Sequence, residues 1–323
     1  MAPDSSVATE DMTGAERFQR LSAEDRALYT GRCQRMVEFA RAHAVPIIFA
    51  PPLSQRGEVN GATGCLVRLA QGTFVVTASH VLNGYEHRRK DGEALHWQVG
   101  KLPPFDPVTR IAWHDEQRDV VFLRISAEEA QGIGPCITST PSRWPPPAPD
   151  PGQLVLVAGY PGLLRDVDAA GGRIGAGPYS TMLRVTSSGD GYCTCQIAQE
   201  DLVSFDGSPL PDPGTNMGGV SGGPVLLMAP NYPLVGIVTA QVYLEGAACE
   251  FLRIATFEGV CLEDEDCPSR GDAALRSSAT RIGGHSSTKG RAQGPDGAPG
   301  ANGRARERAP RPRHDRRRER AGA

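Results

Sequence analysis

Apolar residues in this chain come in short β-branched runs set between glycine, proline and asparagine. "VPIIFAPPL", "GCLVRLAQGTFVVTASHVL" and "DVVFLRIS" have this texture up to about residue 140. "QLVLVAGYPG", "STMLRVTS", "YCTCQIA", "GGPVLLM", "PLVGIVTAQVY" and "FLRIATF" repeat it from residue 152 to 262. Such side chains suit a pleated, half-buried surface, and turn formers stop the ladder every few residues. The pattern predicts an all-β protein built from two successive units of about six antiparallel strands each, which suggests a pair of β-barrels.

Before Pro46 the period changes. Thr13 with Glu16, and Ser22 with Asp25, have the spacing of helix-capping pairs. Phe18, Leu21, Leu28, Met36 and Phe39 recur at roughly helical intervals, so one or two amphipathic helices are expected to cover the body. "PSRWPPPAPDPG" is too rich in proline for a helix or a central strand and reads as a stiff connector. The expected organisation is a helical extension over 1–45, a first barrel over 46–140, the connector over 141–151, a second barrel over 152–262 and a disordered basic tail over 263–323. Residues 1–12 are expected to be disordered as well.

Composition agrees with this division. The chain has 323 residues, 39% of them hydrophobic, enough for one substantial core or two small ones. Its 38 glycines and 27 prolines disfavour a helical bundle. Residues 276–323 hold thirteen Lys/Arg against four Asp/Glu, so the net formal charge of −3 divides into +9 on the tail and −12 on everything before it. An arginine-rich disordered tail retains nucleic acid or another acidic partner weakly, through salt-sensitive phosphate contacts. It has no aromatic residues with which to stack bases.

No stretch has the apolar length of a membrane span, and the N-terminus lacks the basic start and apolar core of a secretory signal. A cytoplasmic protein with no membrane partner is therefore expected, its eight cysteines reduced and mostly buried. Cys193 and Cys195 are expected to point to opposite faces of a strand, and no CxxC pairs announce zinc, so no metal is expected. There is also no phosphate-cradling loop and no dinucleotide fingerprint, so no cofactor is implied.

Three places carry chemistry. His80 follows a strongly apolar strand. Asp119 immediately precedes "VVFLRI", where a carboxylate needs a donor because burying it alone is costly. Ser221 stands among Gly218, Gly219, Gly222 and Gly223, which implies a sharp turn and a close approach. A serine hydroxyl becomes a useful nucleophile when a base takes its proton and an acid holds that base in the right tautomer. The order His, Asp, Ser is one of those in which such triads occur.

"TASH" around His80, "DVVFLRI" after Asp119 and "GGVSGGP" around Ser221 resemble the three motifs of trypsin-like (chymotrypsin-fold) serine peptidases. The similarity is nearest to the bacterial trypsin-like peptidase domains, which also carry a turn such as "GYPG" at 159–162, and it covers about residues 46–260. It implies two perpendicular six-stranded barrels with the site between them, and a serine endopeptidase acting on protein or peptide substrates through an acyl-enzyme. By the resemblance, His80, Asp119 and Ser221 are catalytic, and the backbone N–H groups of Gly219 and Ser221 form the oxyanion hole. It further implies that Thr215 stands near the base of the primary specificity pocket and that Thr239, Ala240 and Gln241 line its wall. With no acid nearer than Asp212 in that loop, a small or medium uncharged side chain is expected there. Val220 stands where many members have the aspartate that pairs with a newly released N-terminus, so that activation route is closed. The alternative readings are a catalytically silent binding module on the same fold, and a nucleic-acid-associating protein acting through its tail.

Overall fold

The computed structural model describes residues 12–52, 55, 57–138, 144–168, 173–198, 201–204, 212, 214–244 and 249–262. The basic tail and residues 1–11 lie outside the described residues. Among those described, no helix is long and apolar enough to cross a membrane.

Two helices, α1 (Gly14–Arg20) and α2 (Ala23–His43), open the chain. Thr13 and Glu16 form a reciprocal capping box, and the Ser22 hydroxyl accepts from Asp25 N. The buried face of α2 differs from the expected one. Cys33, Met36, Ala40 and His43 are buried, whereas Leu28 is 71% exposed. Helix α2 packs on two strands of the closed barrel described below, β8 and β11. Those buried residues, at intervals of three and four, form its inner stripe.

The first sheet comprises β1 (Ala44–Ala50), β2 (Asn60–Leu69), β3 (Gly72–Thr77), β4 (His96–Val99), β5 (Ile111–Asp115), β6 (Val120–Ile125) and β7 (Ile137–Thr138). Its order is β4-β1-β2-β3-β6-β5, with β7 parallel to β2. Strand β1 begins inside the stretch expected to be helical, because Ala44 already pairs with Cys65. The expected closed first barrel is corrected to an open, half-barrel sheet. Closure requires the two outermost strands to meet, but β4 pairs with β1 alone, apart from an isolated bridge between Trp97 and Phe105. Two helices unforeseen in the sequence, α3 (Ser79–Lys90) and α4 (Ala127–Ile133), follow β3 and β6.

The second unit holds β8 (Leu154–Gly159), β11 (Tyr179–Gly189), β12 (Tyr192–Ile197), β13 (Pro224–Leu227), β14 (Leu234–Leu244) and β15 (Cys249–Thr256), which close into a six-stranded barrel in the order β11-β12-β15-β14-β13-β8. A hairpin of β9 (Arg165–Asp168) and β10 (Arg173–Ala176) stands apart. Strand β8 shows why its apolar run does not alternate with polar residues. Val155 and Val157 point into the barrel, while Leu156 and Ala158 join a second cluster with Val75, Phe122 and Trp97 of the first sheet. Both faces of this strand are buried, and a strand covered on both sides reads as a continuous hydrophobic run.

Cys193 and Cys195 both lie inside the barrel, 1% and 0% exposed. The expectation of opposite faces is corrected: strand side chains alternate with period two, so i and i+2 share a face. Cys33, Cys65, Cys136, Cys193 and Cys195 are free thiols, but Cys261 is disulfide-bonded, against the expectation of a fully reduced chain. Sequence spacing carries no information about which thiols folding brings side by side. Among the described residues no group of three or more His, Cys, Asp and Glu side chains is arranged to hold a metal ion.

Candidate active site

His80 lies in the first turn of α3, three residues beyond the end of β3 at Thr77, rather than at the strand end expected from the sequence. Asp119 occupies the turn between β5 and β6 with φ of 59°, a left-handed conformation that aspartate tolerates better than most residues. That turn is braced from within and from the barrel. Arg118 N donates to Asp115 Oδ1 at 3.0 Å and its guanidinium donates to Glu258 O at 2.6 Å, while the Tyr192 hydroxyl donates to Gln117 O.

The Asp119 carboxylate receives His80 twice. Backbone N of His80 donates to Oδ1 at 2.7 Å, and Nδ1 lies 2.7 Å from Oδ2. An ionised carboxylate only accepts, so Nδ1 carries the proton and Nε2 presents its lone pair. The side chains are 50% and 24% exposed, which leaves Nε2 open to a reactant. Ser79 N donates to Asp119 O, and Ser79 Oγ lies 2.5 Å from His114 Nε2, fixing the start of α3 to β5.

Ser221 sits in the turn before β13. Its carbonyl accepts from Thr63 N of β2 at 2.9 Å, so the barrel's turn is fastened to the first sheet. At Gly222, with φ of 85°, a Cβ would lie 2.0 Å from Thr63 O and 2.3 Å from Thr77 Oγ1, distances that only glycine allows. Since Thr77 ends β3 and His80 follows three residues later, the same close approach brings the serine turn to the strand that leads into His80. Among the described residues, Ser221 Oγ and His80 Nε2 share no hydrogen bond.

The carbonyls of the turn fix the direction of its N–H groups. In a trans peptide C=O and N–H point opposite ways. Gly218 O accepts from Gly162 N at 2.6 Å, which turns Gly219 N–H the other way. Val220 O accepts from Gly223 N at 2.8 Å and does the same for Ser221 N–H. By contrast, Gly218 N, Val220 N and Gly222 N all donate within the protein. Gly219 N and Ser221 N therefore stand as the uncommitted donors of this turn among the described residues. Gly219 has φ of 104°, and a Cβ there would lie 2.7 Å from Tyr160 O.

Beside Ser221 opens a cavity of about 140 Å³ lined by Asn216, Met217, Val220, Val238, Gln241 and Leu252, among others. Of the four expected pocket residues, it is Gln241 that the structure brings here. Thr239 is buried with its hydroxyl on Arg253 O, and Ala240 pairs with Arg253 across the ladder. Thr215 lines a smaller adjoining cavity instead. The Gln241 amide is fully committed: Oε1 accepts from Met217 N at 2.8 Å, and Nε2 donates to Thr215 O at 2.8 Å and to Glu250 Oε1 at 2.5 Å. Glu250, 5% exposed, lies behind this amide in the adjoining cavity. The sequence offered no sign of it, because it comes from the next strand rather than the pocket loop.

No family model matches the chain, and no curated protein matches it. One of the solved structures that match is the crystal structure of Rv3671c protease from M. tuberculosis in its active form. It is 19% identical, with 78% of this chain and 86% of that chain covered and a TM-score of 0.37. At that identity and TM-score the match says nothing about chemistry, which is left to the geometry of the site itself.

Proposed function

We propose that this chain is a trypsin-like serine endopeptidase whose half-barrel sheet and closed barrel correspond to the two lobes of a chymotrypsin-like fold. The observation that carries the reading is the pairing of two devices. An imidazole is held by a carboxylate so that Nε2 is basic, and a serine stands in a turn with two uncommitted N–H groups, Gly219 N and Ser221 N.

In this reading Ser221 Oγ attacks a peptide carbonyl while its proton passes to His80 Nε2. Asp119 stabilises the imidazolium through the Nδ1 hydrogen bond. The carbonyl oxygen, now negative, receives Gly219 N–H and Ser221 N–H. His80 returns the proton to the leaving amine, which departs and leaves an acyl-enzyme. Water then attacks that ester, giving its proton to His80, and the reverse proton transfer frees Ser221. The 140 Å³ cavity beside Ser221 takes the side chain on the acyl side of the cleaved bond, and its Met217, Val220, Val238 and Leu252 lining suits an uncharged one.

Profiling cleavage of a diverse peptide library with wild type and Ser221→Ala tests the proposal. Cleavage after uncharged residues, abolished in the variant, is the expected result. One observation favours a second reading, a silent binding module on the same fold: the missing hydrogen bond between Ser221 Oγ and His80 Nε2. Such bonds tighten in the substrate complex. A wild type that cleaves nothing, and whose serine ignores a fluorophosphonate, would establish the second reading instead.

A further inference from the structure

Thr63 is wholly buried in β2, and its N–H and its hydroxyl both donate to the turn that carries Ser221. Its ladder partner on β1 is Pro46, which has no N–H and whose carbonyl accepts from Gly100 on the far side. Thr63 therefore directs its own N–H and C=O away from β1. Strand β3 would use them, but its pairing with β2 ends at Cys65 and Val76. Ser221 O takes the vacated N–H at 2.9 Å, and the Thr77 hydroxyl donates to the carbonyl at 2.7 Å.

The hydroxyl is fixed in both directions. Thr63 Oγ1 donates to Gly219 O at 2.6 Å and accepts from Tyr160 N at 2.8 Å. Tyr160 begins the segment Tyr160–Gly162, whose last N–H holds Gly218 O. One side chain of the first sheet thus ties together the Gly219 carbonyl and the segment that orients the 218–219 peptide. Val220, next in the chain, offers no carboxylate that would brace the turn from its own side.

We propose that Thr63 is a positioning residue that sets the anion-binding N–H of Gly219 through its hydroxyl, linking the first sheet to the barrel's reactive turn. The proposal rests on the serine-peptidase reading for its kinetic consequence and on geometry alone for its structural one. Thr63→Val keeps the shape and both backbone bonds but removes the hydroxyl, whereas Thr63→Ser keeps the hydroxyl.

In Thr63→Val, kcat on a peptide substrate falls by about 10², in the range for loss of one oxyanion donor, with KM within about twofold because the interaction acts in the transition state. Inhibition by a peptidyl aldehyde, whose adduct carries the oxyanion, weakens in parallel, while affinity for a product peptide holds. Thr63→Ser restores kcat to within about threefold. Wild-type kcat in Thr63→Val overturns the proposal, as does a folded Thr63→Ser that is as impaired as the valine variant.

A crystal structure of Thr63→Val separates this proposal from the peptidase reading. If wild type cleaves nothing yet Gly218 O has left Gly162 N in the variant, the positioning role stands without the chemistry. An unmoved turn overturns it whatever the activity. Where the valine variant fails to fold, a crystal structure and kcat of Thr63→Cys give the same two answers, because a thiol donates too weakly to replace the hydroxyl.

Discussion

Replacing Asp119 with asparagine isolates the proton logic of the site from its architecture. Asparagine occupies the left-handed region as readily as aspartate, so φ of 59° costs it nothing extra. Its Oδ1 retains the bond from His80 N. The other carboxylate oxygen, now 2.7 Å from His80 Nδ1, becomes an NH₂ that can only donate. Nδ1 must then accept, the ring proton moves to Nε2, and the base is lost. Restoring the working tautomer would set two N–H groups against each other and leave the imidazolium without its charge-assisted bond. A wrong-tautomer substitution of this kind lowers kcat by about 10⁴, or about 5.4 kcal/mol at 1.36 kcal/mol per tenfold. The assay is steady-state hydrolysis of a peptide substrate, with a melting curve alongside. Expected are a kcat lower by about 10⁴, KM within about threefold and a Tm within about 2 °C of wild type, a shift that stands for less than about 1 kcal/mol. A folded Asp119→Asn protein with kcat within tenfold of wild type would show that Asp119 does not set the His80 tautomer.

Further outcomes follow from the same geometry. Gln241→Ala opens the cavity beside Ser221 toward Glu250, so cleavage after lysine and arginine rises relative to uncharged residues, and Gln241→Ala with Glu250→Gln loses that gain; library profiling of both variants decides it. Gly219→Ala places a Cβ 2.7 Å from Tyr160 O at φ of 104°, turning the peptide and lowering kcat by about 10² to 10³, while Ser221 keeps its place when crystallised. Burial pushes the Cys65 thiol well above its ordinary range, so the thiolate is the minor form at any pH up to 9. In native protein at that pH, iodoacetamide spares Cys65, and in denaturant it labels it, as peptide mapping will show.

Much of the site was legible because its residues break local rules. Four glycines about one serine demand a close approach, and at Gly222 that approach is to Thr63 O and Thr77 Oγ1. An aspartate leading an apolar strand needs donors, and His80 supplies two. The β texture was readable for the same reason: strand β8, buried on both faces, shows an unbroken apolar run.

What escaped notice depends on partners far away in sequence. Helix α3 hides in a stretch that reads as strand followed by loop, because its buried positions Val81, Leu82 and Tyr85 fill only one turn. Thr63 is an ordinary strand threonine until Gly219, 156 residues on, comes within 2.6 Å. The buried face of α2 is not marked by apolar periodicity, because Cys33, Ala40 and His43 are not large apolar residues. Whether the first sheet closes depends on β4 and β5 meeting, which no local pattern encodes.

The central claim is that His80, Ser221 and the two N–H groups converge on one reacting atom. A crystal structure of the protein treated with a fluorophosphonate measures this directly. Expected is phosphorus bonded to Ser221 Oγ, with its oxygen about 2.7 to 3.1 Å from Gly219 N and Ser221 N and His80 Nε2 facing the serine oxygen. A phosphonyl group on another residue, or on Ser221 with that oxygen turned to solvent, would contradict it.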